Sequence, residues 1–285
     1  MSARETIEGC LEQGRPALIA YLPVGYPTVE GSIAAMRAVV EAGADIVEVG
    51  VPYSDPVMDG AVIQEAASTA LARGVRVDHV FEAVAAVRQA GATPVVMSYW
   101  NLVLRRGVDR FAADLAASGG AGLITPDLIP EEAEEWIEAS DAYGLDRIFL
   151  VAPSSTPERL AAVTSVCRGF VYAASTMGVT GVRSEVGSSA AELVQRVRAV
   201  TDVPVCVGLG VSNGEQAAAV GSQADGVIVG SALVRALMAD VADDATGEID
   251  PTLPTLRSVT ADLAQGVRRA RSAEGRRSPG PTARS

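Results

Sequence analysis

Residues 29–50 read VEGSIAAMRAVVEAGADIVEVG, and this one stretch carries a complete helix-to-strand unit. Up to Ala42 the apolar residues return every three or four positions, the period of an amphipathic helix. Gly43-Ala44-Asp45 then stops the helix. Ile46-Val47-Glu48-Val49-Gly50 follows as a short, β-branched run, nearly continuous in apolar residues, as a parallel strand covered on both faces must be. The unit recurs. Comparable runs at 17–22, 45–50, 94–99, 122–125, 147–152, 170–174, 203–209 and 226–230 predict eight strands. Amphipathic stretches at 29–42, 108–117, 131–143, 157–166 and 190–200 lie between them.

Eight βα units in about 230 residues fit a single-domain (β/α)8 TIM barrel with extra terminal helices. An open, flavodoxin-like sheet is the alternative, although such sheets usually stop at five or six strands. A helix at 256–271 would complete the outer ring. The barrel domain is expected over 1–270, and 271–285 (RSAEGRRSPGPTARS) reads as a disordered tail because it offers no apolar residue large enough to anchor it.

Composition narrows the chemistry. The 285 residues are 48% hydrophobic and 20% charged, with a formal net charge of −12. That balance, without a basic stripe in the folded part, argues against nucleic acid and anionic membrane as partners. Apolar stretches such as 147–152 are far short of the ~20 residues of a membrane span. Residues 1–15 carry acids and no apolar signal core, so a cytoplasmic location is expected. Cys10, Cys167 and Cys206 are scattered singly, which predicts buried thiols rather than a disulfide framework, and no metal site is expected. All 23 basic residues are arginine. Schiff-base catalysis on a lysine of this chain is therefore excluded. His79, the one histidine, falls in an amphipathic helical stretch, so a histidine zinc site or a Ser-His-Asp triad would rest on it alone. Carboxylates, hydroxyls and backbone dipoles remain.

In such a barrel the reactive groups sit at the C-terminal ends of the strands. Alternation along 45–50 puts Ile46 and Glu48 on one face and Val47 and Val49 on the other. With the valines packed outward against helices, Glu48 points into the barrel mouth. There it is either an acid and base whose pKa is raised by desolvation or a structural glutamate paired with an internal arginine. The following loop adds Asp55 and Asp59. Asp55 before Pro56 could be turn chemistry, and Asp59 before Gly60 could cap the next helix. A second constellation lies in Gly178 to Gly181, Gly208 to Gly210 and Gly230-Ser231, after the last three strands. These are either connecting turns or a backbone cradle for a phosphate, assisted by a helix N-terminus. The long Gly/Ser/Thr-rich segment 176–190 is either a lid or a surface loop.

The run VEVGVPYSDPVMDG at 47–60 resembles the signature of the tryptophan synthase alpha chain family. LPVGYP at 22–27, Tyr99-Trp100-Asn101, GVTG at 178–181, GLG at 208–210 and Gly230-Ser231 extend the resemblance from about residue 17 to 239. Met58 departs from the pattern, standing where the family usually has a small residue. The resemblance implies a (β/α)8 barrel that cleaves indole-3-glycerol phosphate to indole and glyceraldehyde 3-phosphate. It implies that Glu48 is the general acid–base and that Asp59 holds the indole N–H. By the same correspondence Tyr21 and Tyr172 line the substrate pocket, Thr180 closes the lid, and Gly181, Gly210, Gly230 and Ser231 hold the phosphate. It further implies no cofactor in this chain, a beta chain partner carrying pyridoxal phosphate in an α2β2 assembly, and Asp55 and Pro56 near that interface. A regulatory subunit that binds the phosphorylated ligand without turnover is the competing reading, against which Glu48 and Asp59 both count.

Overall fold

The computed structural model describes residues 1–174, 183–208 and 210–270, the stretch 183–189 as backbone only. Eight parallel strands close on themselves in sequence order: β1 (Ala17–Pro23), β2 (Ile46–Gly50), β3 (Thr93–Met97), β4 (Gly122–Thr125), β5 (Asp146–Val151), β6 (Val171–Ala174), β7 (Val205–Gly208) and β8 (Gly226–Val229), with β8 pairing back to β1. The open-sheet alternative is thereby removed. Around the barrel lie α1 (Ala3–Glu12), α2 (Val29–Glu41), α3 (Ala61–Ala72), α4 (Val77–Gln89), α5 (Trp100–Arg106), α6 (Val108–Ala117), α7 (Glu134–Ala142), α8 (Pro157–Val166), α9 (Arg183–Arg198), α10 (Gly214–Gly221), α11 (Ser231–Ala239) and α12 (Pro254–Arg269). A small hairpin, β9 (Val241–Asp243) with β10 (Glu248–Ile249), follows α11.

The strands separate two apolar populations. Outward residues such as Val47, Val49, Val96 and Leu123 join the large cluster against the helices. Inward residues Ile19, Ile46, Val95, Ile124, Ile148, Cys206 and Ile228 fill the lumen, so the barrel is a packed core rather than a pore. Helix α1 closes the lower end, with Ala3, Ile7 and Cys10 packed into the lumen cluster. Its start is fixed by a capping box in which Ser2 and Glu5 satisfy each other's backbone N–H. The buried Asp146 carboxylate accepts the Ala3 N–H at 2.7 Å, pinning the plug to β5. All three cysteines are buried, and burial pushes the Cys10 and Cys167 thiols up to about 12.

Several boundaries differ from the sequence reading. The third strand ends at Met97 because Tyr99 is already the N-cap of α5. The expected helix over 131–143 divides into a 3-10 turn, Pro130–Glu132, and α7, with Ala133 between them. His79 is in α4, where its Nδ1 accepts the Arg76 N–H at 3.1 Å and caps the helix. No helix among the described residues is long and apolar enough to cross a membrane. The expected tail at 271–285 lies outside the described residues.

Candidate active site

Carboxylates occur at both ends of the barrel in opposite condition. At the lower end Asp45 is held by Arg15 through two hydrogen bonds of 2.7 and 2.8 Å and accepts the Leu18 N–H at 2.8 Å. Asp225 there accepts the Val205 N–H at 2.9 Å and an Arg198 N–H at 3.0 Å. These groups tie strand starts together. At the upper end Glu48 is 1% exposed, and its Oε2 has no hydrogen-bond partner among the described residues. Among the described residues no arginine pairs with it. A buried, unpartnered carboxylate oxygen calls for an explanation in function rather than in stability.

The cause of this environment is the strand parity. Glu48 stands two residues above Ile46 on the inward face, so its carboxyl rests on the apolar filling of the lumen. Burial there pushes its pKa up to about 8, and the negative charge of Asp59 adds to the rise. At neutral pH Glu48 is a protonated acid. Two partly or wholly buried phenols share the mouth, Tyr21 from β1 and Tyr172 from β6, and burial holds both well above the ordinary tyrosine range. Each leans across to the next strand over a glycine. A Cβ on Gly50 would meet the Tyr21 Oη at 2.5 Å, and one on Gly208 would meet the Tyr172 Oη at 2.7 Å. Only glycine admits the ring at either place.

Asp59 arrives from the loop after β2. Its side chain is partly buried, and burial raises its pKa while a hydrogen bond from Tyr99 opposes the rise. It does not cap the next helix. That N-cap is Gly60, without a side-chain hydrogen bond, and the Asp59 carbonyl instead accepts the Gln64 amide at 2.7 Å. Asp55 is exposed and accepts the Ser54 hydroxyl at 2.6 Å, Pro56 is partly buried, and Val57 and Met58 are 81% and 47% exposed beside them.

Sequence reasoning assigned no role to Tyr99, although it stood in the quoted Tyr99-Trp100-Asn101 motif. Its hydroxyl accepts the N–H groups of Val57 and Met58, both at 3.1 Å, and its ring stacks on Tyr53 with centroids 5.0 Å apart. It is the anchor of the acidic loop.

After β7 Gly210 adopts φ +66°, and after β8 Gly230 caps α11 without a side-chain hydrogen bond, leaving Ser231 as the first helical residue. An α-helix start presents unpaired N–H groups and positive potential, which suits an anion. Thr180 and Gly181 lie outside the described residues, as does the segment 176–182 of the expected lid or loop over 176–190, whose remainder from Arg183 on is the first part of α9. The described arrangement can therefore offer one neutral acid on an apolar floor, a second carboxylate above it, two neutral phenols, and a helix start toward which an anionic group can point.

Comparison with known proteins places the chain in a family. A family model described as tryptophan synthase alpha chain matches residues 7–256. The chain is 60% identical over 265 residues to the tryptophan synthase alpha chain of Mycobacterium ulcerans (strain Agy99), covering 93% of this chain and 94% of the relative. The alpha chain of Mycobacterium tuberculosis (strain ATCC 25618 / H37Rv) is likewise 60% identical over 266 residues, with the same coverage. Among solved structures, M. tuberculosis tryptophan synthase superposes with a TM-score of 0.85 at 59% identity, covering 93% of this chain and 98% of that one. Tryptophan synthase subunit alpha from Legionella pneumophila str. Paris gives a TM-score of 0.82 at 30% identity, covering 94% and 98%.

Proposed function

The chain belongs to the tryptophan synthase alpha chain family, lyases of tryptophan biosynthesis that release indole and glyceraldehyde 3-phosphate from indole-3-glycerol phosphate, and on that premise we propose how its residues carry the reaction. The observation that carries the proposal is the buried Glu48 at the floor of the mouth, whose Oε2 has no hydrogen-bond partner among the described residues.

Carbon–carbon cleavage of this substrate needs a place for the electrons of the breaking bond. The Glu48 carboxyl donates its proton to C3 of the indole ring, which turns the ring into an iminium-like electron sink. The resulting Glu48 carboxylate takes the proton from the glycerol hydroxyl next to the breaking bond. As that O–H is lost, the oxygen becomes the carbonyl of glyceraldehyde 3-phosphate, and the bonding pair returns to the ring to restore indole. Glu48 ends as it began, protonated. Asp59 accepts the indole N–H and offsets the positive charge that builds on the ring. Burial favours the neutral form of both carboxyls, but the Tyr99 hydrogen bond works against it only at Asp59, so their tasks diverge. Tyr21 and Tyr172 are the walls of the indole slot. Gly210, Gly230 and Ser231, together with Thr180 and Gly181, hold the phosphate.

The family implies a beta chain partner. We place it, in an α2β2 assembly, against the loop of Asp55 and Pro56, whose apolar tip is the exposed Val57 and Met58. Pyridoxal phosphate belongs on that beta chain, since this chain has no lysine to bind it as a Schiff base. The pair works in the cytoplasm. The test is indole release from indole-3-glycerol phosphate by the purified chain, with and without the beta chain. Release that the beta chain accelerates is expected, and no release in either case leaves only a ligand-binding role.

A further inference from the structure

We propose that Tyr21 is a positioning residue that acts through Glu48: its ring, admitted over β2 by the missing side chain of Gly50, roofs the carboxyl and keeps water from it. The purpose of this device rests on the acid–base reading of Glu48, while its geometry stands apart from that reading.

Tyr21 and Glu48 are register partners on adjacent strands, so their backbones lie side by side. Glu48 and Gly50 share the inward face two residues apart, so whatever covers Gly50 stands one step above Glu48 toward the mouth. A Cβ on Gly50 would lie 2.5 Å from the Tyr21 Oη and 2.6 Å from both Cε2 and Cζ. The ring tip therefore fills the volume that a side chain at position 50 would take. The ring begins beside Glu48 and ends above it, with Ile19 and Ile46 of the lumen underneath. The result is a carboxyl closed from below by aliphatic packing and covered on the β1–β2 side of the mouth by an aromatic ring.

Among the described residues three titratable groups face Glu48: Tyr21 from β1, Tyr172 from β6 and Asp59 from the loop after β2. Both phenols are neutral at physiological pH, and Asp59 is the one further carboxylate. With no cation among these three, the charge state of Glu48 is governed mainly by its access to water, which is the larger cause of its raised pKa. The phenol oxygen is not needed for that purpose. A phenyl ring of the same reach serves equally, and a short side chain does not.

The test reads Glu48 directly, without turnover. Infrared difference spectra between the wild-type chain and Glu48→Gln, taken from about pH 5 to 10, follow the C=O stretch of the protonated Glu48 carboxyl as it disappears. Tyr21→Phe should keep the wild-type midpoint. Tyr21→Ala should lower it by about one pH unit or more, as expected when a buried carboxyl regains water. Gly50→Ala should lower it too, with the aromatic ring still in the chain, because the new methyl group evicts it. Should either of these variants fail to fold, Tyr21→Leu keeps bulk at position 21 but cannot reach over Gly50, and it should lower the midpoint in the same direction. The alkaline fall of kcat/KM should move with the infrared midpoint in every folded variant. An unchanged midpoint in Tyr21→Ala or Tyr21→Leu overturns the roofing role. If the midpoint moves as expected while Glu48→Gln still cleaves at the wild-type rate, the roofing role stands and the acid–base reading falls. If the midpoint stays while Glu48→Gln is inactive, the reverse holds.

Discussion

The Tyr99 hydroxyl lies 3.5 Å from the Asp59 Oδ2 and accepts the backbone N–H groups of Val57 and Met58 at 3.1 Å each. One phenol on the turn after β3 thus fixes both the backbone and the carboxylate of the loop after β2. Asp59 owes its position to a residue forty places along the chain.

Tyr99→Phe keeps the ring and its stacking on Tyr53 while removing all of these hydrogen bonds. Leaving two loop N–H groups and a carboxylate without this partner should cost about 1–3 kcal/mol of correct loop placement, or roughly a tenfold or greater fall in kcat/KM. Because this hydrogen bond lowers the Asp59 pKa, its loss should also raise the pH at which the acid side of the kcat/KM profile falls. Steady-state kinetics across pH measure both effects. A wild-type profile in Tyr99→Phe would show that the loop is placed by other contacts.

Glu48 links site and stability. Its folded pKa of about 8 lies above the ordinary value of 4.5, so the neutral carboxyl contributes its full stability below 4.5 and loses it as pH rises through about 8. Glu48→Gln has no such dependence. Thermal unfolding should show the variant gaining on the wild type between about pH 5 and 9, with the Tm gap widening by about 5 °C or more. A constant gap would mean that Glu48 has the same pKa folded and unfolded.

Ser231 tests the anion end of the mouth. Ser231→Asp sets a negative charge at the first residue of α11, against the phosphate that the helix start is proposed to hold. KM for indole-3-glycerol phosphate should rise about tenfold or more with a much smaller change in kcat, the pattern of lost uniform binding. An unchanged KM would move the phosphate elsewhere.

At the other end, Asp146→Ala releases the Ala3 N–H that anchors α1 beneath the lumen. Denaturant unfolding should show a loss of about 1–3 kcal/mol. Indole release per folded molecule should stay near wild type, because the carboxylates of the lower end serve the barrel and not the chemistry. A parallel loss of turnover would show that the plug and the mouth are coupled.

The barrel was legible because its strands are buried on both faces, and continuous apolar runs such as Val203 to Gly208 announce that directly. The inward aim of Glu48 followed from the alternation of Ile46, Val47, Glu48 and Val49, which the two separate apolar clusters bear out. The terminal helices were expected without bounds for the first of them, although Ser2 and Glu5 spell its capping box and Ala3, Ile7 and Cys10 form its buried stripe. Tyr21 over Gly50 and Tyr99 against Asp59 could not be read at all. Both depend on which residues of different strands and loops come face to face, and no local periodicity encodes that register.

The most direct measurement is the rate of indole release from indole-3-glycerol phosphate by Glu48→Gln beside the wild-type chain, each saturated with the beta chain. The account expects a loss on the order of 10²–10⁴, as for a removed proton-transfer group, while calorimetry with glycerol phosphate shows anion binding retained. Release at the wild-type rate would contradict it, since the proton at C3 would then come from elsewhere.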